Sequence, residues 1–131
     1  MNVLVLKIVC SYGAAIGVGI LIFLPVAVSK GVFAEVGYSV AIFKIVGAIL
    51  RGVFLILCGW AAWKQPHFTY IYAWGAFVAF MVAGAADELI KHGGIEGFGH
   101  LMSTYYFVSV AHVVYAFMVW WLSNRVSVGY A

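Results

Sequence analysis

Charged residues are scarce in this sequence. Asp, Glu, Lys and Arg make up 8% of its 131 residues, against roughly 25% in ordinary soluble domains. Hydrophobic residues make up 66%, so too few polar side chains are present to cover a water-soluble fold. The composition therefore predicts an all-α integral membrane protein that forms a single domain.

Basic runs and catalytic motifs are also lacking. The seven Lys and Arg residues are dispersed, and none of them form a run that could follow a phosphate backbone. Nucleic-acid binding is therefore not expected. The sequence has no GxSxG, HExxH or Walker-type loop, so it predicts no catalytic residue and gives no support to an enzymatic activity of its own.

Cysteine is nearly absent. Cys10 and Cys58 are the two cysteines of the chain, and each falls inside a hydrophobic segment. They form neither a CxxC nor a Cys/His spacing that is typical of zinc binding or thiol redox chemistry. The sequence predicts two buried free thiols.

Long hydrophobic segments, by contrast, fill most of the chain. They cover about residues 4–28, 36–63, 68–86 and 100–122, and each is long enough to span a bilayer as a helix. The short turn around Pro66 predicts that the second and third segments form an antiparallel hairpin. We therefore expect a four-transmembrane-helix bundle with short loops and both termini on the same side.

The distribution of charge predicts the orientation of this bundle. The side with the termini carries Lys7, Lys64 and Arg125 without an acidic residue, whereas every Asp and Glu falls on the other side. Because cytoplasmic loops are enriched in Lys and Arg, both termini are predicted to be cytoplasmic. An aromatic belt is expected at the same face, formed by Trp60, Trp63, Tyr70, Tyr72, Trp74, Trp120 and Trp121.

Small residues on the first segment predict close helix packing. Gly13 and Gly17 form a GxxxG motif, a spacing that lets another helix backbone approach closely in lipid. The approaching helix could belong to a partner protein or to this chain, and the sequence leaves both alternatives open.

Two basic residues on the second segment need counter-charges, because a charge in the middle of a membrane costs about 2.5–3.5 kcal/mol. Lys44 is expected near the outer interface, where an ion pair with Asp87 or Glu88 would stabilise two adjacent helices. The same carboxylates could alternatively form an entry site for a cation or a proton.

Arg51 lies seven residues further along the same helical face, about 10 Å deeper. No carboxylate is expected at its depth. Its partners could lie within the bundle, at Ser109, His112 or the tyrosines 105 and 106, or at Asp87 by snorkelling. They could instead lie outside the chain, as the carboxylate of a neighbouring subunit, a lipid phosphate or the carbonyl of a quinone-like ligand.

Histidines raise the question of haem and metal binding. His112 falls near the middle of the last segment, but no second histidine is expected at its depth, so haem is not predicted. The segment 87–100 holds Glu88, His92 and His100, which are weak metal-ligand candidates because their spacing matches no specific motif. A solvated outer loop accounts for the same residues, and no cofactor is predicted firmly.

Three functions follow from these features, in order of preference. The first is an accessory or anchor subunit of a larger membrane complex of the energy-converting kind (respiratory, photosynthetic or membrane oxidoreductase). Such a subunit would pack against a core subunit and against lipid or a quinone-like cofactor, with Arg51, His112, Gly13 and Gly17 as contacts. The second is a small oligomeric transporter or channel that uses Arg51, His112 and Asp87/Glu88. The third is a membrane enzyme with a metal site in segment 87–100.

Overall fold

A computed structural model describes residues 2–31, 38–92 and 106–130, with side chains for 2–31, 40–84 and 109–126. In this part of the chain it contains four α-helices: α1 (Asn2–Ser29), α2 (Tyr38–Lys64), α3 (Thr69–His92) and α4 (Tyr106–Tyr130). A short 3₁₀ turn, Pro66–Phe68, precedes α3. The all-α prediction is confirmed.

Three of the helices are long and apolar enough to cross a membrane. They cover Asn2–Ser29, Val40–Lys64 and Pro66–Gly84. Large apolar side chains remain exposed on all four helices, for example Phe23, Trp63, Val78 and Val114, each more than half exposed. A surface of this kind is stable when the surrounding solvent is lipid.

The four helices pack in sequence order into an antiparallel bundle. α1 packs against α2, α2 against α3 and α3 against α4, and α4 returns to α1. The core lies at the end of the bundle where α1 begins, α4 ends and α2 turns into α3. There, small side chains of α2 and α3 meet larger ones of α1 and α4. It consists of Leu6, Cys10, Cys58, Ala62, Ala73, Ala116, Val119, Leu122 and Val126.

The helix ends are set by local chemistry. α1 passes through Pro25 and ends at Ser29, after which Gly31 adopts a φ of 72°; a glycine in this conformation commonly terminates a helix. The 3₁₀ turn is fixed by Ser123 of α4, whose fully buried hydroxyl donates to the carbonyl oxygens of Pro66 at 3.2 Å and His67 at 3.0 Å. These bonds join the α2–α3 turn to α4.

Two helices extend beyond the segments that hydropathy predicts. α3 continues to His92 instead of ending at residue 86, and α4 continues to Tyr130 instead of residue 122. Backbone hydrogen bonding within a helix does not stop where the apolar residues stop. The acidic residues 87 and 88 therefore belong to a helix, not to a loop.

Candidate functional site

The most unusual polar residue in the described helices is Arg51 of α2. Its side chain is half-buried, and its guanidinium lies over the ring of Phe80 of α3 with 5.4 Å between the carbon Cζ and the ring centroid. Phe80 also stacks on His112 of α4, with 4.5 Å between ring centroids and an angle of 8° between the ring planes. We call these three residues, one from each of α2, α3 and α4, the Arg51 stack.

The Nε–H group of Arg51 is buried and has no hydrogen-bond partner among the described residues. A cation–π contact stabilises by about 0.5–2 kcal/mol, whereas a buried donor without an acceptor costs about 1–3 kcal/mol. The contact with Phe80 therefore holds the guanidinium in place, but it does not supply a hydrogen-bond acceptor to the Nε–H group.

The structure describes some of the polar groups that the sequence predicts as partners of Arg51. The Ser109 hydroxyl lies 3.7 Å from the sulphur of Met81. His112 and Arg51 both contact the ring of Phe80. Tyr105 and the side chains of Tyr106 and Asp87 lie outside the described part of the chain.

Arg51 lines two cavities. One, of about 220 Å³, lies between α2 and α3 and is lined by Lys44, Gly47, Ala48, Arg51, Phe80, Ala83 and Gly84. The other, of about 230 Å³, lies between α1, α2 and α4 and is lined by Tyr12, Gly13, Ile16, Arg51, Leu55, Ala111, His112 and Tyr115. We call them the Lys44 cavity and the Tyr115 cavity. The arginine is thus accessible from two sides of the bundle.

The GxxxG glycines are both buried inside the bundle. The phenol of Tyr115 from α4 lies directly against Gly13. A Cβ atom on Gly17 would lie 2.6 Å from the carbonyl oxygen of Gly52, so α1 and α2 are in backbone contact there. Both glycines therefore pack against helices of the same chain, which is what the intramolecular alternative predicts. A contact of Gly13 or Gly17 with a second protein stays a prediction that these contacts do not support.

No protein-family model, curated protein or solved structure matches this chain. Function is therefore inferred from the residues of the chain and their contacts.

The acidic side of the bundle is described in part. Lys44 lines a cavity, but the side chains of Asp87, Glu88 and His92, and His100 as a whole, lie outside the described part of the chain, so the Lys44 ion pair and the metal site stay predictions. Among the described residues, no cluster of three or more His, Cys, Asp or Glu side chains could hold a metal ion.

Sequence reasoning missed one cluster of reactive groups. The sulphur atoms of Cys10 and Cys58 lie 3.5 Å apart, and both residues are fully buried and free. The burial of both thiols was predicted, but their contact was not. The available signal was the register of α1 and α2: Cys10 precedes Gly17 by seven residues and Cys58 follows Gly52 by six, so an antiparallel pair joined at these glycines brings the cysteines together.

Proposed function

We propose that this chain is a four-span accessory or anchor subunit of a larger membrane complex. The observation that carries the proposal is the buried Nε–H group of Arg51 without a hydrogen-bond partner among the described residues. A cation at this position in a helix that is apolar enough to cross a membrane needs an acceptor. A second protein that packs against the bundle would supply it.

The guanidinium of the Arg51 stack indicates which chemical group the partner would supply. A guanidinium that is oriented by an aromatic ring presents planar donors, which match a carboxylate better than any neutral acceptor does. Lys44 lines the same cavity as Arg51. We infer that an acidic side chain of a larger integral membrane subunit enters the Lys44 cavity and pairs with Arg51.

The fourth span belongs to the same proposal. No Asp, Glu, Lys or Arg lies between Glu96 and Arg125, a stretch that includes most of α4. α4 is antiparallel to α3 and closes the bundle against α1. A membrane-spanning α4 would place both termini on one side, which the charge distribution assigns to the cytoplasm.

Two contacts between an aromatic and a basic residue at that end support this orientation. The ammonium of Lys7 lies 4.5 Å from the ring centroid of Trp63, and the guanidinium of Arg125 lies 4.7 Å from that of Trp121. Tryptophan and basic residues together are typical of a membrane–water interface on the cytoplasmic side.

A second candidate function, a small oligomeric transporter, is favoured by one observation. The Lys44 and Tyr115 cavities share Arg51 as a lining residue, and His112 lines the second of them. Polar residues that line cavities within a bundle can contribute to a path through it. The larger-subunit proposal takes precedence because it also accounts for the unsatisfied donor of Arg51.

Purification of the tagged protein from its native membrane in nanodiscs distinguishes the two functions. We expect a larger membrane protein to co-purify at a fixed stoichiometry, measured by quantitative mass spectrometry of proteins and lipids. A homo-oligomer without another protein would contradict the subunit proposal and favour the transporter. A phospholipid as the single stoichiometric companion would assign Arg51 to a lipid headgroup instead.

A further inference from the structure

The proposed function makes no use of the two thiols in the bundle core. Cys10 of α1 and Cys58 of α2 place their sulphur atoms 3.5 Å apart. The Cys58 sulphur also lies 3.5 Å from the carbonyl oxygen of Thr69 and 3.9 Å from the phenol oxygen of Tyr115. We call Cys10 and Cys58 the thiol pair.

Close contact between α1 and α2 keeps the thiol pair together. A Cβ atom on Gly59 would lie 2.6 Å from the Cβ of Ala14 and 3.1 Å from the carbonyl oxygen of Cys10, so the α2 backbone lies against α1 at this level. A disulfide bond is about 2.05 Å long, so closing the observed gap of 3.5 Å requires the sulphur atoms to approach by about 1.5 Å. Rotation of the two side chains is the simplest way to provide this movement.

Burial determines which oxidants can reach the pair. Both cysteines are 0% exposed, so a charged, water-soluble oxidant has no direct access to them. The Tyr115 cavity lies next to the pair, because Tyr115 lines the cavity and its hydroxyl lies 3.9 Å from the Cys58 sulphur. The remaining lining is largely apolar and includes Gly13, Ile16 and Ala111.

The volume of this cavity sets the size of the molecule that fits. An apolar cavity of about 150 Å³ is large enough to bind benzene. The Tyr115 cavity, at about 230 Å³, is larger and accommodates a substituted six-membered ring. A lipid-soluble quinone has such a ring, an apolar tail that partitions into the bilayer, and the capacity to accept two electrons.

We propose that the thiol pair is a dithiol–disulfide couple that is oxidised by a lipid-soluble quinone in the Tyr115 cavity. In this step the two S–H bonds break and one S–S bond forms. The two electrons and two protons pass to the two carbonyl oxygens of the quinone, which becomes a hydroquinone. The new bond links α1 covalently to α2.

The test uses the full chain in nanodiscs, reduced with dithiothreitol and then freed of the reductant. After incubation with decylubiquinone, we expect the intact mass to fall by two hydrogen atoms, and maleimide labelling of both cysteines under denaturing conditions to be lost. Dithiothreitol should restore both. Cys10→Ser and Cys58→Ser should each keep their remaining thiol labelled. Full labelling of wild-type protein after the quinone treatment, or a disulfide between two chains, would overturn the proposal.

A pair of variants on α4 tests the route of entry. Ala111→Phe fills the Tyr115 cavity, whereas Val114→Phe adds the same ring on the same helix at a side chain that is 58% exposed to the surroundings. We expect oxidation by decylubiquinone to slow about tenfold in Ala111→Phe, which corresponds to about 1.4 kcal/mol of lost binding, and to be unchanged in Val114→Phe. An undiminished rate in Ala111→Phe would rule out this cavity as the quinone site.

Discussion

The guanidinium of Arg51 on α2 lies over the ring of Phe80 on α3, so this contact joins the two helices. The same Phe80 ring stacks nearly parallel to the ring of His112 of α4. A cation–π contact recovers about 0.5–2 kcal/mol of the roughly 2.5–3.5 kcal/mol that a charge costs in the membrane interior. The stack therefore orients Arg51 but offsets only part of the cost of its charge. A hydrogen-bond acceptor is needed to offset the rest.

Replacement of Arg51 should not harm the isolated chain. Arg51→Leu removes the cost of the charge together with the smaller benefit of the contact with Phe80, so we expect stabilisation by about 1 kcal/mol. Thermal unfolding of the purified chain in detergent measures this. A loss of more than about 1 kcal/mol would show that the bundle itself satisfies Arg51, and would remove the need for a partner.

The contact between α1 and α2 at Gly17 should tolerate no side chain. A methyl group there would meet the carbonyl oxygen of Gly52 at 2.6 Å, so Gly17→Ala should destabilise the bundle by about 1–3 kcal/mol through overpacking. Gly19→Ala is the matched control, because a Cβ atom at Gly19 has no neighbour within 4 Å. Chemical denaturation followed by circular dichroism compares the two variants, and equal stabilities would contradict the described packing.

The hydroxyl of Ser123 should be important for the turn between α2 and α3. Ser123→Ala removes the donor to the carbonyl oxygens of Pro66 and His67 in a fully buried position, and we expect a cost of about 1–3 kcal/mol. Ser11→Ala serves as the control, since Ser11 is exposed and accepts one hydrogen bond of 3.3 Å from Trp63. Should both variants unfold at the same temperature, α4 does not hold this turn.

Both termini should be found on the cytoplasmic side. Leu6 near the start of α1 and Val126 near the end of α4 belong to the same core cluster, so the start of α1 and the end of α4 lie at one end of the bundle. Reporter fusions at either terminus, with one reporter active only in the cytoplasm and one only outside it, test the prediction. Opposite locations would mean that α4 does not span the membrane.

The helices could be predicted from the sequence because a long apolar segment in lipid must form a helix to satisfy its backbone hydrogen bonds. Their ends could not: α3 and α4 continue past residues 86 and 122, where the residues become polar but the backbone still gains from helical hydrogen bonds. Hydropathy reports the membrane thickness that a segment can cross, not the residue at which its helix stops.

The site could be predicted only in part, for a different reason. The sequence identifies Arg51 as a candidate because a charge within an apolar helix is costly. Its contact with Phe80 depends on the rotation of α2 and α3 about their axes, which hydropathy does not determine. The contact between Cys10 and Cys58 depends likewise on the register of α1 against α2. That register is set by the backbone contact of Gly17 with Gly52.

The pairing of Arg51 with a partner subunit is tested by comparing how much partner protein co-purifies with three forms of the tagged chain. These are wild type, Arg51→Leu and Arg125→Leu, where Arg125 is an exposed arginine that also lies over an aromatic ring. Loss of one member of a buried charge pair costs about 2–5 kcal/mol at an interface, so Arg51→Leu should reduce the partner by at least about tenfold, while Arg125→Leu keeps it. An unchanged amount of partner with Arg51→Leu would show that Arg51 does not hold the partner subunit.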